Sequence, residues 1–416
     1  MTTAQRPRPP LVVIADDLTG ASDAGLQFAK FGARTAVWID TATAFGDVDV
    51  TVIDLDTRVV SPGVAAQRMR AALGALPPGA TIVKKIDSTL RGNITAELET
   101  LLHAQPGKTA IVVPAYPKNG RVQRDGVVYV DGTPVHETDF GRELLTPVRS
   151  CRIRDYLPRE SSAVVASAAG IASAVDRGSR AIAVDAERDE DLAAIAEFAA
   201  DERFLWVGSA GLLEFLAPAL VGPPARVRDE AAPEVRDPIL FVIGSLSETT
   251  RRQMTQYAQS GGLTEIVDPR TVLIDEGRGR AEIVAERIRT TLAAGDDLLV
   301  ALSSDRRDVE AALALGRAHG YDALTTSLEL RERFVALVQR AVPLAGAVVL
   351  SGADVARSFC VAAGVRGMRL LREAAPGIPL ARGLGRELLL VPKAGGSGTT
   401  GAYRDIVANV RKELVR

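Results

Sequence analysis

Short apolar, β-branched runs alternate with segments of helical spacing through the first half of the chain. The runs at 11–15, 35–39, 50–55, 81–86, 109–113, 181–185 and 204–208 read as strands. This alternation is the βαβ rhythm of a mostly parallel sheet flanked by helices. Between 120 and 140 the pattern changes to Val127-Val128-Tyr129-Val130-Asp131-Gly132-Thr133-Pro134-Val135. Period-two alternation around an Asp-Gly turn predicts an inserted β-hairpin, placed to form a flap over a site. The Ala-rich stretch 163–174 reads as helix. Val221 to Pro238 carries Gly-Pro-Pro, further proline and charge, and no periodicity, which predicts a linker. A second pattern of the same kind begins at Ile239-Leu240-Phe241-Val242-Ile243, with strands at 298–302, 347–350 and 387–391 and helices near 279–293, 307–318 and 327–341. The predicted fold class is therefore α/β, with two domains, 1–220 and 239–416, each holding a mostly parallel sheet flanked by helices.

Composition narrows the function. With 416 residues, 47% of them hydrophobic, the chain can bury two separate cores. A net charge of −2 with scattered Lys and Arg provides no basic stripe, so no nucleic-acid partner is expected. No apolar run reaches membrane-spanning length, and Met1 to Pro10 lacks a hydrophobic signal core, so the expected location is cytoplasmic, with no membrane partner. Cys151 and Cys360 lie far apart without a CxxC, which indicates neither disulfide nor zinc and predicts two small buried hydrophobes. His103, His136 and His319 are dispersed, which argues against histidine-based zinc chemistry and against a Ser-His-Asp triad.

Chemistry concentrates at strand exits. Lys84-Lys85-Ile86-Asp87-Ser88-Thr89-Leu90-Arg91-Gly92-Asn93 sets two lysines, an acid, hydroxyls and an arginine between a strand and a helix. Those groups suit a small anionic, hydroxylated ligand, while the plain alternative is a solvated loop with Asn93 as helix cap. The first strand runs into Asp16-Asp17-Leu18-Thr19-Gly20-Ala21-Ser22-Asp23. Adjacent strand residues face opposite ways, so Asp16 and Asp17 have different jobs unless the chain has already turned there. Like charges sheltered together raise the pKa of one member, which is how a carboxylate becomes a general base near neutrality. For Asp23, capping of the following helix is the favoured reading. The second half has three small-residue exits: Gly244-Ser245-Leu246-Ser247-Glu248-Thr249-Thr250, Ser351-Gly352-Ala353-Asp354, and Lys393-Ala394-Gly395-Gly396-Ser397-Gly398-Thr399-Thr400-Gly401. Small residues let backbone N–H groups approach an anion, so these are candidate phosphate cradles, although no Walker A sequence is present.

The blocks IADDLTGASDAG (14–25), KKIDSTLRGN (84–93), PAYPKNGRVQRDG (114–126), GSLSETTRRQ (244–253), SGADVA (351–356) and KAGGSGTTG (393–401) occur in the order found in the four-carbon acid sugar kinase family, which the chain resembles over nearly its whole length. The resemblance implies an N-terminal domain for the sugar acid, a C-terminal domain for ATP, and phosphoryl transfer in the cleft between them. The implied activity is ATP-dependent phosphorylation of a hydroxyl on threonate, erythronate or a 3-oxo-tetronate, with Mg²⁺ offsetting phosphate charge. Carried onto this chain, Asp16 or Asp17 is the base and a hydroxyl ligand, Asp87 and Ser88 contact further hydroxyls, and Arg91 with Lys84 or Lys85 grips the carboxylate. On the nucleotide side Ser245, Ser247, Gly352, Asp354, Gly395, Gly396, Ser397 and Gly398 match; no metal ligand is assigned. The resemblance leans toward a homodimer. The chain departs from the family pattern at Leu246, Ala353, Val355, Ala394, Ser397 and Thr399-Thr400, which motivates a second reading: a non-catalytic sugar-acid-binding or regulatory protein with a degenerate nucleotide site. A lyase using Lys84 or Lys85 as an imine-forming amine is a third reading. A dinucleotide-dependent dehydrogenase is disfavoured because no GxGxxG follows the first strand.

Overall fold

The structure is a computed structural model that describes residues 9–39, 47–143, 145–222, 235, 237–273, 278–303 and 305–411. The chain divides into two compact units, Met1–Arg228 and Asp229–Arg416. Most of the predicted linker, 221–238, lies outside the described residues.

The first unit holds strands β1 (Leu11–Ala15), β2 (Thr35–Trp38), β3 (Val50–Asp54), β4 (Thr81–Lys85), β5 (Thr109–Val113), β6 (Arg121–Arg124), β7 (Val127–Val130), β8 (Thr133–Pro134), β9 (Ser162–Val165), β10 (Ala181–Val184) and β11 (Phe204–Gly208). Eight of them form a parallel sheet in the order β2-β3-β1-β4-β11-β5-β10-β9. Val12, Val13, Ile14, Val52, Val83, Ile111 and Val112 are fully buried, as strands covered by helices on both faces require. In register, β3 and β4 flank β1: Val13 lies beside Val52 and Val83. Their carboxyl ends therefore open side by side, the edge at which ligands bind in such sheets.

The predicted hairpin exists as the three-stranded antiparallel sheet β6-β7-β8, with Asp125-Gly126 turning β6 into β7 and Asp131-Gly132 turning β7 into β8. It is packed into the unit instead of forming a free flap. Val128, Val130 and Val135 join the hydrophobic core, and Asp185 accepts hydrogen bonds from Gln123 Nε2 (2.8 Å) and from the Gly126 N–H (3.0 Å). Two further expectations need correction. The Ala-rich stretch opens as strand β9, because Val164 and Val165 complete the sheet edge beside β10, and helix follows only at Ile171–Asp176. Cys151 is half-buried against the core, whereas Cys360 is fully buried.

The second unit holds β12 (Ile239–Ile243), β13 (Leu263–Val267), β14 (Leu298–Leu302), β15 (Ala347–Ser351), β16 (Gly367–Ala375), β17 (Ile378–Leu384) and β18 (Leu389–Lys393). Their order is β13-β14-β12-β15-β18-β17-β16, parallel from β13 to β18, with the β16-β17 hairpin added antiparallel. Helices Arg278–Ala293, Arg306–Ala318 and Ala323–Gln339 occupy the predicted places, the last starting four residues early at its Asp322 cap. β13, β16 and β17 were not anticipated. β13 is a largely exposed edge strand without clean alternation, and β16 interleaves Arg369, Arg372 and Glu373 with its apolar residues. Among the described residues no helix is long and apolar enough to cross a membrane.

Candidate active site

At the carboxyl edge of the first sheet the chain turns immediately after Ala15, so strand alternation ends there. Both Asp16 and Asp17 reach one guanidinium: Arg58 Nε donates to Asp16 Oδ2 at 2.8 Å, and Arg58 Nη1 donates to Asp17 Oδ2. Arg58 was not foreseen from the sequence. It follows β3, and β3 neighbours β1; the Thr57 and Arg58 N–H groups donate to the Asp16 carbonyl at 2.9 and 3.3 Å, which pins the two exits together. Asp17 also caps the helix Leu18–Ala29, accepting from the Gly20 N–H at 2.7 Å. A Cβ on Gly20 would stand 2.4 Å from that carboxylate oxygen, so only glycine lets the cap close this tightly.

The two buried carboxylates respond differently to their surroundings. Burial works to raise Asp16, but Arg58, Lys84 and Lys85 outweigh it and the pKa is lowered. Burial raises Asp17, and the charges of Asp16 and Asp87 add to the rise beyond what Arg58 and Lys85 offset. One carboxylate is thus held ionised and its neighbour is pushed toward the range of a general base. Asp16 Oδ1 is buried and has no hydrogen-bond partner among the described residues. A buried acceptor left in this state normally has a donor waiting elsewhere, here a ligand hydroxyl.

The exit of β4 supplies the next groups. Asp87 accepts from Arg91 Nε (2.7 Å) and from Thr89 Oγ1, and burial, which would raise its pKa, is overcome by Arg91 and Arg58, which lower it. Arg91 reaches Glu143 as well, at 3.3 Å, and its guanidinium carbon lies 5.1 Å from the Phe140 ring centroid. Between Asp87 and Arg91 the buried Leu90 takes a left-handed φ of +63°, a strained choice for a branched side chain that clusters at ligand sites. Ser88 is half-buried. Arg121, at the start of β6, is a cation within electrostatic range of Asp87 and Arg91 and was also missed.

Lys84 and Lys85 have separate surroundings, as alternation on a strand requires. Lys84 lies in a buried ion pair with Glu97 at 2.9 Å, both side chains 1% exposed, and Glu97 also accepts from Thr57 Oγ1. Lys85 Nζ donates to the Ile86 carbonyl at 2.9 Å and would lie 3.2 Å from a Cβ on Gly20, on the side of the aspartates. Asn93 occupies the cap position of the helix Ile94–Ala104 but makes no side-chain cap bond; its Nδ2 donates to the Thr57 and Val60 carbonyls at 2.7 and 2.9 Å, tying the loops after β3 and β4 together. Asp23 is not a cap either. It sits in the second turn of its helix, next to Gln27, and burial raises its pKa to about 6. A carboxyl whose folded pKa exceeds its unfolded value stabilises the fold at low pH and loses that contribution as pH rises from about 4 through 6. Asp23→Asn is therefore expected to raise stability by about 1–2 kcal/mol at pH 7.5, after discounting for partial exposure, and to leave it unchanged near pH 3.5. Thermal melts of both proteins at the two pH values check this.

In the second unit, β15 lies between β12 and β18, so three exits again adjoin. The Gly244 N–H donates to the Ser351 carbonyl (2.9 Å) and the Gly352 N–H to the Lys393 carbonyl (3.1 Å). The Gly395 carbonyl accepts from Ser247 Oγ (2.8 Å) and Thr250 Oγ1 (3.0 Å), and Thr250 Oγ1 lies 3.1 Å from Ser245 Oγ. A Cβ on Gly395 would stand 2.1 Å from Ser245 Oγ, and one on Gly352, at φ +103°, would stand 3.1 Å from the Ser245 backbone nitrogen. Gln253 Nε2 bridges the Ser397 and Thr399 carbonyls at 3.0 and 2.9 Å. Gly396, Ser397 and Gly398 are half-buried in this loop, and Asp354 stands half-buried in the first turn of the helix Ala353–Ala362. Sequence reasoning passed over Thr250, Gln253 and Lys393, which hold the loop from behind.

A family model described as a sugar-binding N-terminal domain matches residues 11–216, and one described as a nucleotide-binding C-terminal domain matches 240–402. D-threonate kinases of Salmonella typhimurium and Cupriavidus necator are 32% and 34% identical, over 95% and 89% of this chain and 97% and 89% of theirs. A 3-oxo-tetronate kinase of Methylobacterium radiotolerans is 30% identical over 92% of this chain and 95% of its own. A crystal structure from Salmonella typhimurium LT2 shares the fold at a TM-score of 0.77 and 23% identity, covering 95% of this chain and 98% of that one. Matched along both units, the chain belongs to the four-carbon acid sugar kinase family, whose members phosphorylate such acids with a nucleotide.

Proposed function

We infer that this protein phosphorylates a hydroxyl of a four-carbon sugar acid, with a threonate as the favoured substrate and ATP as donor. The observation that carries the reading is the Asp16-Asp17 pair: two buried carboxylates clamped by Arg58, one with a lowered pKa and an oxygen unpartnered among the described residues, the other with its pKa raised by burial. Asp16 Oδ1 accepts a hydrogen bond from the sugar hydroxyls, and Asp17 takes the proton of the attacking hydroxyl. Asp87 and Ser88 contact the remaining hydroxyls. Arg91 and Lys85 hold the substrate carboxylate, since a guanidinium fork pairs with a carboxylate through two parallel hydrogen bonds. Lys84, committed to Glu97, keeps a structural role, which also leaves it unsuited to imine formation.

The unit 1–220 then holds the acid and 239–416 the nucleotide, with Ser245, Ser247, Gly352, Asp354 and the Gly395-Gly396-Ser397-Gly398 loop around the phosphates. Among the described residues no group of three or more His, Cys, Asp or Glu side chains could hold a metal ion. Mg²⁺ would arrive on the nucleotide, because this ion is normally held by phosphate oxygens, water and one or two carboxylates, and Asp354, in the first turn of the helix after β15, is the carboxylate that would meet it. Bound in that way it would offset phosphate charge. D-threonate is favoured because the kinases named for it are 32% and 34% identical to this chain.

The test is ADP release by the purified protein with ATP and Mg²⁺ against D- and L-threonate, D- and L-erythronate and their 3-oxo forms. Turnover fastest with D-threonate supports the full reading; turnover with another acid corrects the substrate alone. Silence across the panel, with no calorimetric ATP binding, would support a sugar-acid-binding protein with a degenerate nucleotide site.

A further inference from the structure

Lys393 ends β18 with its side chain 1% exposed, and no carboxylate pairs with it among the described residues. Its ammonium donates to the Ala394 carbonyl (3.0 Å) and the Gly395 carbonyl (3.3 Å) and lies 5.7 Å from the centroid of the Tyr403 ring. The titratable group packed against it is Tyr403, whose hydroxyl burial pushes well above its ordinary pKa, so it stays neutral and supplies no counter-charge. Burial alone lowers the Lys393 pKa to about 7. A buried cation without a counter-ion is costly, and proteins normally pair it or neutralise it.

The Gly395 carbonyl thereby collects three donors: Ser247 Oγ, Thr250 Oγ1 and Lys393 Nζ. In a trans peptide the C=O and the following N–H point in opposite directions, so a carbonyl fixed toward these donors turns the Gly396 N–H to the other side. That N–H meets no acceptor among the described residues. We propose that Lys393 is a positioning residue of the nucleotide site: it fixes the Gly395–Gly396 peptide so that its amide faces the phosphates, and the phosphates supply the counter-charge that Lys393 lacks. This rests on the reading of 393–401 as the nucleotide loop.

A consequence distinguishes this role from simple packing. Phosphate binding favours the charged form of Lys393, so the complex holds a proton that the free protein gives up above pH 7. ADP affinity should weaken by up to about tenfold per pH unit between pH 7.5 and 9, with proton uptake on binding. Isothermal titration of ADP in two buffers of different ionisation enthalpy at pH 8.5 reads that uptake on the unmodified protein, so no variant need fold for the test. Lys393→Arg, charged throughout the range, should bind ADP without the pH dependence, and Lys393→Met should raise KM for ATP tenfold or more with KM for the acid unchanged. Wild-type binding without proton uptake, or a Lys393→Met protein that binds ADP normally, overturns the role of Lys393 while leaving the nucleotide loop in place. Wild-type protein that binds no ADP at all overturns the nucleotide reading and this inference with it.

Discussion

Asp17→Asn is expected to lower kcat by about 10²–10⁴-fold, the usual worth of a positioned general base, with KM for the acid changed little. Asparagine is as good a helix cap as aspartate, so the Gly20 N–H keeps its acceptor and the variant should fold. What is lost is the basic oxygen and half of the Arg58 clamp. The complementary change, Asp16→Asn, should act mainly on KM, because its free oxygen is read as a hydroxyl acceptor. Steady-state kinetics of the two variants separate the roles: activity of Asp17→Asn near wild type, with kcat collapsed in Asp16→Asn, would exchange them.

The second large effect concerns stability. Lys84→Met leaves Glu97 as an uncompensated charge at 1% exposure, a loss of about 3–5 kcal/mol for a broken buried pair. Removing both partners, Lys84→Met with Glu97→Leu, should recover most of that loss, because buried pairs replaced by apolar residues are often close to neutral. Denaturant unfolding of the single and double variants reads the difference as a shift in midpoint. A single variant as stable as wild type would show that water or rearrangement relieves Glu97. Lys85→Met should behave in the opposite manner, altering KM for the acid more than stability, since its ammonium faces the aspartates and has no carboxylate within ion-pair distance among the described residues.

The sequence made much of this legible, and the remainder was hidden for physical reasons. Parallel strands buried on both faces are continuous β-branched runs, so 11–15, 50–55, 81–86, 109–113 and 204–208 stood out. Edge and antiparallel strands are mixed with polar and charged residues: Thr264 and Glu265 in β13 and Arg369, Arg372 and Glu373 in β16 disguise them. Asp16, Asp17, Asp87 and Arg91 were visible because polar groups crowd their strand exits. Arg58 was not, because its meaning depends on β3 lying next to β1, and strand order is a tertiary fact that periodicity does not carry. Lys393 was inside a recognised block, yet only its burial without a counter-ion separates it from an ordinary lysine at the end of a strand. Asp23 shows the opposite error, a residue whose type suggested a cap but whose position one turn further on gives it a different electrostatic fate.

The place of β11 in the first sheet has a consequence for how the protein is made. The last strand of that sheet to leave the ribosome inserts between β4 and β5, and the Gly208 carbonyl at its end accepts the Ile86 N–H (2.9 Å) that opens the loop of Asp87 and Arg91. Ser209 then caps the helix Ala210–Val221 and donates to the Ala115 carbonyl at 2.6 Å, closing the far side of the gap. Until about residue 210 has emerged, β4 and β5 both present open edges and the loop of Asp87 and Arg91 is held through Asn93 to the loop after β3 without its second anchor at Gly208. Nascent chains shorter than this should be sticky and inactive, and their folding should wait for synthesis to pass that point instead of proceeding strand by strand.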